Sequence, residues 1–375
     1  MKKVRKVTLK PEFSFFLKTM GIILCISLGL FLFYCKQIYD LTKLGYSKEA
    51  SQNILFSSKK NYILSVGENK TLNQVFETSD YREEYLDSYR KITFVEQEHF
   101  VSHINKLLDI GYNVNDINII FAHGDDDAVE RFTKREKVRY LEEFFIYDYA
   151  KLDYYDRYVA YSDDTGEDEE TTVLFVNLDL DKEDYVDASL IDKFSFDVVV
   201  NKHRYLGQDF VPDELVPIDP SYANEDDLQC NQTALKAYLK MKEDAEKEGY
   251  FLVINSAYRS YQDQVELSEF YLRAYGQSYV DKYVAKPGYS EHQTGLAFDI
   301  GSRNVNIFAN SKEYQWMQEN AYKYGFIYRF NKRKEGITGF REEPWHYRYV
   351  GVDIATYIYE HNISLEEYWV MFLDS

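Results

Sequence analysis

The run "TMGIILCISLGLFLFYC", Thr19 to Cys35, carries no charged residue, and Phe13 to Leu17 extend it upstream past Lys18. An apolar stretch of roughly 17 to 23 residues suits one membrane-spanning helix, because a helix satisfies its own backbone polar groups in hydrocarbon. Ahead of the run stand Lys2, Lys3, Arg5, Lys6 and Lys10 against the single acid Glu12. The positive-inside rule then keeps the N-terminus cytoplasmic and exports the remainder of the chain. A cleaved signal peptide needs small residues at its cut, whereas this run leads into the bulky "FYCKQIYD". Small residues do not precede Cys35 either, as a lipid-modified cysteine would require. The expectation is a cytoplasmic basic tail over 1–18 and an uncleaved signal anchor over 19–35. The protein would cross the cell membrane once, with its bulk extracytoplasmic.

Charge supports that division. Setting aside the seven Lys/Arg and one Glu of residues 1–36 leaves 37 basic and 62 acidic residues, a formal charge of −25. Such a surface repels phosphate, so nucleic acid is excluded as a partner, while protein partners stay open. A hydrophobic share of 45% and an aromatic share of 17% exclude a disordered chain, and 375 residues suffice for two ordinary domains. With only Cys25, Cys35 and Cys230, there is neither a disulfide framework nor a cysteine zinc site.

Residues 41–195 offer organisation but little chemistry. "KLGYSKEASQNIL" (Lys43 to Leu55) resembles "DIGYNVNDINIIF" (Asp109 to Phe121), and "YREEYLDSYRKI" at Tyr81 is echoed by "YLEEFFIYDYAKL" at Tyr140. These predict a mostly helical, repeat-like region of short helix–turn–helix units. His99 and His103 share a helix without a matching acidic or histidine partner, so they read as ordinary helix residues. "SDDTGEDEE", Ser162 to Glu170, reads as a solvated acidic loop whose spacing fits no EF-hand.

A second domain is expected over 196–375. "FDVVV" predicts a strand, and Asn231 to Glu248 an amphipathic helix stopped by Gly249. "FLVINS" predicts a buried strand, and Tyr261 to Tyr275 a helix ended by Gly276. Asn310 and Glu313 read as a capping box for a helix closed by Gly325, and Ser364 with Glu367 caps another. "FIYRF" and "WHYRYVG" predict strands. Strands and helices without regular βαβ alternation indicate an α+β fold.

Within that domain "PGYSEHQTGLAFDI" (Pro287 to Ile300) alternates with period 2: Leu296, Phe298 and Ile300 on one face, Gly295, Ala297 and Asp299 on the other. The small residues predict space for a substrate beside Asp299. Downstream, "REEPWHYRYVG" holds Glu343 three residues before His346. His292, Asp299 and His346 together supply two imidazoles and a carboxylate, the donor set of a catalytic zinc that keeps one position open. Water there needs a base, and Glu343 is near enough to serve without being a ligand.

"SEHQTGLAFDI" and "EPWHYRYVG" resemble the zinc motifs of VanY-type D-alanyl-D-alanine carboxypeptidases, and "INSAYRSYQDQ", "PGYSEHQTG" and "YGFIYRF" extend the resemblance. It covers roughly residues 196 to 375. It implies the fold shared with the Hedgehog signalling domain: an antiparallel sheet with flanking helices around zinc. Carried over residue by residue, His292, Asp299 and His346 match the metal ligands and Glu343 the general base. Arg259 matches the arginine near the scissile carbonyl, and Gln264 and Ser290 match groups that contact the peptide. The implied protein is a membrane-anchored zinc carboxypeptidase removing the terminal D-Ala from peptidoglycan stem peptides. An L,D-carboxypeptidase acting on tetrapeptides and a cross-bridge endopeptidase are the enzyme alternatives. A non-catalytic wall-binding or sensory module is the third reading, and an intact Glu343 weighs against it.

Overall fold

The computed structural model describes residues 11–374; the basic residues expected at positions 2 to 10 lie outside the described residues. Helix α1 (Pro11–Lys43) has 33 residues and is long and apolar enough to cross a membrane. At 1.5 Å per residue it extends ~50 Å, beyond the ~30 Å of a hydrocarbon core. Phe15, Leu24, Leu30 and Phe33 along it are all more than half exposed, so protein does not cover its apolar surface.

The chain forms two compact units that divide between Phe145 and Ile146. After α1, short helices build the first. The paired Gly-Tyr motifs behave alike: Gly45 and Gly111 adopt positive φ, and Ser47 and Asn113 cap the helices Lys48–Phe56 and Val114–His123. The stretch at Tyr81 turns through a 3₁₀ segment, Glu83–Tyr85, into Leu86–Tyr89. Tyr140 instead precedes the four-residue helix Leu141–Phe144. The 3₁₀-to-α turn recurs further on, at Leu152–Tyr154 running into Tyr155–Thr165. A hydrogen-bond pattern recurs with it. Tyr89 donates to Asn105, which donates to Asp80 O, and Tyr158 donates to Asn177, which donates to Tyr149 O.

"SDDTGEDEE" is not a loop throughout. Ser162 to Thr165 complete a helix that Gly166 ends at positive φ, and Asp168 caps the helix Glu169–Asn177 by accepting from Thr171 N–H. Acidic side chains at a helix N-terminus are favoured by its unpaired N–H groups.

The second unit centres on an antiparallel sheet of four strands, β1 (Leu252–Ser256), β2 (Ala297–Ser302), β3 (Phe326–Tyr328) and β4 (His346–Tyr349), in the order β1-β2-β4-β3. One face is apolar: Leu252, Ile254, Phe298, Ile300, Tyr347 and Tyr349 share a buried cluster. Helix α2 (Gln232–Lys247) adds Ala234, Tyr238 and Met241 to it, with Tyr238 stacked on Phe298 at 5.9 Å. Helix α3 (Tyr261–Tyr275) starts from a Ser260–Asp263 capping box. Helix α4 (Lys312–Asn320) adds Trp316 and Met317 to the cluster. Its cap is Ser311 rather than Asn310; Glu313 is drawn away to accept from Phe251 N–H. Helices α5 (Val352–His361) and α6 (Leu365–Phe372) complete the unit, α6 with the expected Ser364–Glu367 box.

"FDVVV" forms no ladder. The carbonyls of Phe196 and Val198 accept from the Arg348 guanidinium, which satisfies them without a strand partner.

Residues 146–195 pack against the C-terminal end of the chain. Leu174 and Leu178 cover Val370 of α6, and Lys151 pairs with Asp374. A chain starting at Ile146 should therefore melt higher than one starting at Phe196. Uncovering that cluster should cost ~2 kcal/mol or more, about 4–8 °C by circular dichroism. Equal melting would show that 146–195 adds nothing to the fold.

Candidate metal centre

Two local features set the site. A 3₁₀ turn, Glu291–Thr294, ends at Gly295 in the left-handed region, φ +69°, and launches β2. A Cβ at Gly295 would stand 3.1 Å from Leu215 and 3.2 Å from Asn231 N. Then the β2–β4 register sets Asp299 directly opposite His346. The turn supplies His292.

His292 Nδ1 lies 2.6 Å from Ala257 O, so that nitrogen carries the proton and Nε2 is turned to Asp299 Oδ1 at 3.5 Å. His346 Nδ1 lies 3.3 Å from the same oxygen and 3.5 Å from Glu343 Oε2. One donor atom from each of His292, Asp299 and His346 falls within 4.8 Å of the others, and among the described residues this is the group that could hold a metal ion. Asp299 Oδ1 is buried without a hydrogen-bond partner, although imidazole nitrogens flank it. Two nitrogens and an orphaned carboxylate oxygen converging on one point fit a three-ligand metal site.

The charges are strongly perturbed. Burial pushes the Asp299 carboxyl up, but His292 and His346 outweigh it and hold it well below the usual range. Burial lowers His292. Burial also opposes protonation of His346, yet the Asp299 carboxylate beside it and its hydrogen bond to Glu291 raise it to about 9. Glu343 is raised to about 7, first by burial and then by the charge of Asp299, against His346 and Arg259.

Arg259 donates from its guanidinium to Gln264 Oε1 (2.8 Å) and Ser256 Oγ (3.1 Å), and from its backbone to His292 O. Gln264, on the first turn of α3, is fastened in turn by donating to Ala285 O at 2.7 Å. A cavity of about 520 Å³ is lined by all seven expected residues: Arg259, Gln264, Ser290, His292, Asp299, Glu343 and His346. Tyr271, Tyr279, Tyr283 and the half-exposed Trp345 complete part of its wall.

Gly295 and Ala297, expected to leave room for substrate, do not line this cavity. Gly295 faces Leu215 and Asn231 and is needed for its backbone angle, while Ala297 is fully buried opposite Arg348. Sequence reading also passed over a buried ion set behind His346. Glu291 accepts from Arg329 and Arg348, and Arg329 grips Glu366. A charge two residues after His346 on the same strand was a usable signal, since period 2 puts Arg348 on the ligand face.

Residues 227–352 match the family model described as VanY: D-alanyl-D-alanine carboxypeptidase. YodJ of Bacillus subtilis (strain 168) is 41% identical over 179 residues, 46% of this chain and 66% of YodJ. A D-alanyl-D-alanine carboxypeptidase of Enterococcus faecalis is 40% identical over 133 residues, 33% of this chain and 49% of that protein. Among solved structures, the LdcB LD-carboxypeptidase matches at 37% identity with a TM-score of 0.45, covering 50% of this chain and 92% of that one. The chain spans 45% to 66% of the length of the curated relatives it matches. Residues 227–352 thus form a domain that matches the VanY D-alanyl-D-alanine carboxypeptidase family.

Proposed function

We propose that the protein is a membrane-anchored zinc carboxypeptidase that removes the terminal D-Ala from peptidoglycan stem peptides ending in D-Ala-D-Ala. The observation that carries this reading is the convergence of His292, Asp299 and His346 beside Glu343 and Arg259 in one cavity, within a VanY-family stretch. Two imidazoles with one carboxylate are a donor set suited to zinc. Bound there, zinc would polarise the scissile carbonyl and acidify a water. Glu343, with its proton affinity poised near neutrality, takes the proton from the attacking water and returns it to the leaving amine. Arg259 spends two donors on Gln264 and Ser256 and keeps others for the carbonyl oxygen as charge develops, or for a terminal carboxylate. Gln264 holds Arg259 in place, and Ser290 offers its hydroxyl to the peptide. Helix α1 is the anchor, with the N-terminus cytoplasmic and the cavity extracytoplasmic.

Zinc analysis tests the ligands. Wild-type protein should hold one zinc per chain, and His292→Ala, Asp299→Ala or His346→Ala should each lose it. Wild-type protein that is zinc-free yet fully active would refute the assignment.

Glu343→Gln should keep zinc and lose turnover by about 10²–10⁴-fold. Its effect on stability has a definite sign. A carboxyl whose folded pKa lies above its unfolded value costs nothing below the unfolded value near 4.5 and its full amount above about 7. In metal-free protein Glu343→Gln should therefore raise the melting point at pH 8, by roughly 1–3 kcal/mol of stability, and leave it unchanged at pH 4. An unchanged melting point at pH 8 would show that Glu343 is not strained.

Incubation with pentapeptide and tetrapeptide stems, followed by mass spectrometry, decides the substrate. Release of one D-Ala from the pentapeptide, stopping at tetrapeptide, is expected. Conversion of tetrapeptide to tripeptide with the pentapeptide untouched would make it an L,D-enzyme.

A further inference from the structure

We infer that Glu291, Arg329 and Glu366 form a buried relay that positions His346 for the metal, which makes α6 part of the metal centre although it lies outside the family-matched residues. The inference rests on the reading of His346 as a ligand.

A histidine ligand must present a lone pair, and which nitrogen does so is fixed by the partner of the other. His346 Nε2 faces Glu291 Oε2 at 3.3 Å, while Nδ1 faces Asp299 and Glu343. With the proton on Nε2, donated to Glu291, the Nδ1 lone pair points into the cluster. The opposite tautomer would set the Nε2 lone pair against a carboxylate. Glu291 has no freedom to turn away. Its other oxygen accepts from Arg329 Nε at 2.8 Å and from Arg348 at 3.0 Å. Arg329 is itself clasped by both oxygens of Glu366, at 2.8 and 2.5 Å. This is the fork-to-fork geometry that fixes direction as well as distance. The side chains of Glu291, Arg329, Arg348 and Glu366 are at most 1% exposed.

Stability alone does not account for such a set. Removing charges from water is expensive, and a well-packed apolar replacement of a buried ion pair is often neutral or stabilising. Orientation of a ligand is what an apolar replacement could not supply. Glu291, Arg329 and Glu366 are thus positioning residues that touch no substrate.

The test uses the full chain in detergent, with zinc affinity read by competition against a chromophoric chelator. Arg329→Met/Glu366→Met removes one charge of each sign and keeps the volume. Its metal-free melting point should stay within a few degrees of wild type, while zinc binding weakens by about 10–100-fold. The visible spectrum of the cobalt-loaded variant should change as well. A folded double variant with wild-type zinc affinity would overturn the relay. If that variant does not fold, ¹⁵N-histidine NMR of zinc-loaded wild type decides: a His346 protonated at Nε2 is expected, and one protonated at Nδ1 overturns it. His346→Ala separates the two layers. Zinc binding retained there defeats the ligand reading, whereas binding lost there but intact in the double variant defeats only the relay.

Discussion

Everything at the site depends on the pairing of β2 with β4. Asp299 meets His346 across that ladder because Phe298 pairs with Tyr347, and both of those side chains are fully buried on the other face. A slip of β2 by one residue would turn Asp299 to the core face, away from His346, and Phe298 to the cavity. The apolar cluster on α2 and α4 therefore does more than hold the sheet down. It forbids the wrong register, and the candidate ligands take their places as a consequence of that prohibition.

The candidate ligand set was legible in sequence because its residues sit in locally patterned segments. Period-2 alternation at Leu296, Phe298 and Ile300 fixed which face Asp299 occupies, whereas "WHYRYVG" reads from sequence only as a strand, and its pairing with β2 gives His346 its face. Helix ends were equally plain where a side chain caps its own helix, as at Ser260, Asn231 and Ser364. Features decided by distant partners were not legible. Glu313 left its capping role for a backbone N–H far along the chain, and "FDVVV" was denied a ladder by a guanidinium from β4. Gly295 was misread for a related reason: a glycine that provides space and one that provides a backbone angle look identical until neighbours are in place.

The electrostatics divide labour within a few ångströms. Asp299 and Glu343 are both buried acids, yet His292 and His346 flank the first and hold it ionised, while burial dominates the second and leaves it ready to accept a proton. Two carboxyls of ordinary chemistry are pushed in opposite directions by their surroundings, the usual arrangement where one must bind and the other must move a proton. Arg259 belongs to the same scheme. In the proposed reaction its fixed contacts to Gln264 and Ser256 would present to a developing negative charge a guanidinium that need not reorganise.

The set behind His346 has an evolutionary corollary. Glu291, Glu366, Arg329 and Arg348 sum to zero formal charge inside a space closed to water. Loss of any single member strands an opposite charge, a change costing several kcal/mol, whereas loss of one acid together with one base leaves neutrality intact. Neutral drift at these four positions is thereby confined to paired steps. Among descendants of a common ancestor they should covary by sign, with a missing acid accompanied by a missing arginine, even though the four residues are spread from a turn before β2 to a helix well past β4.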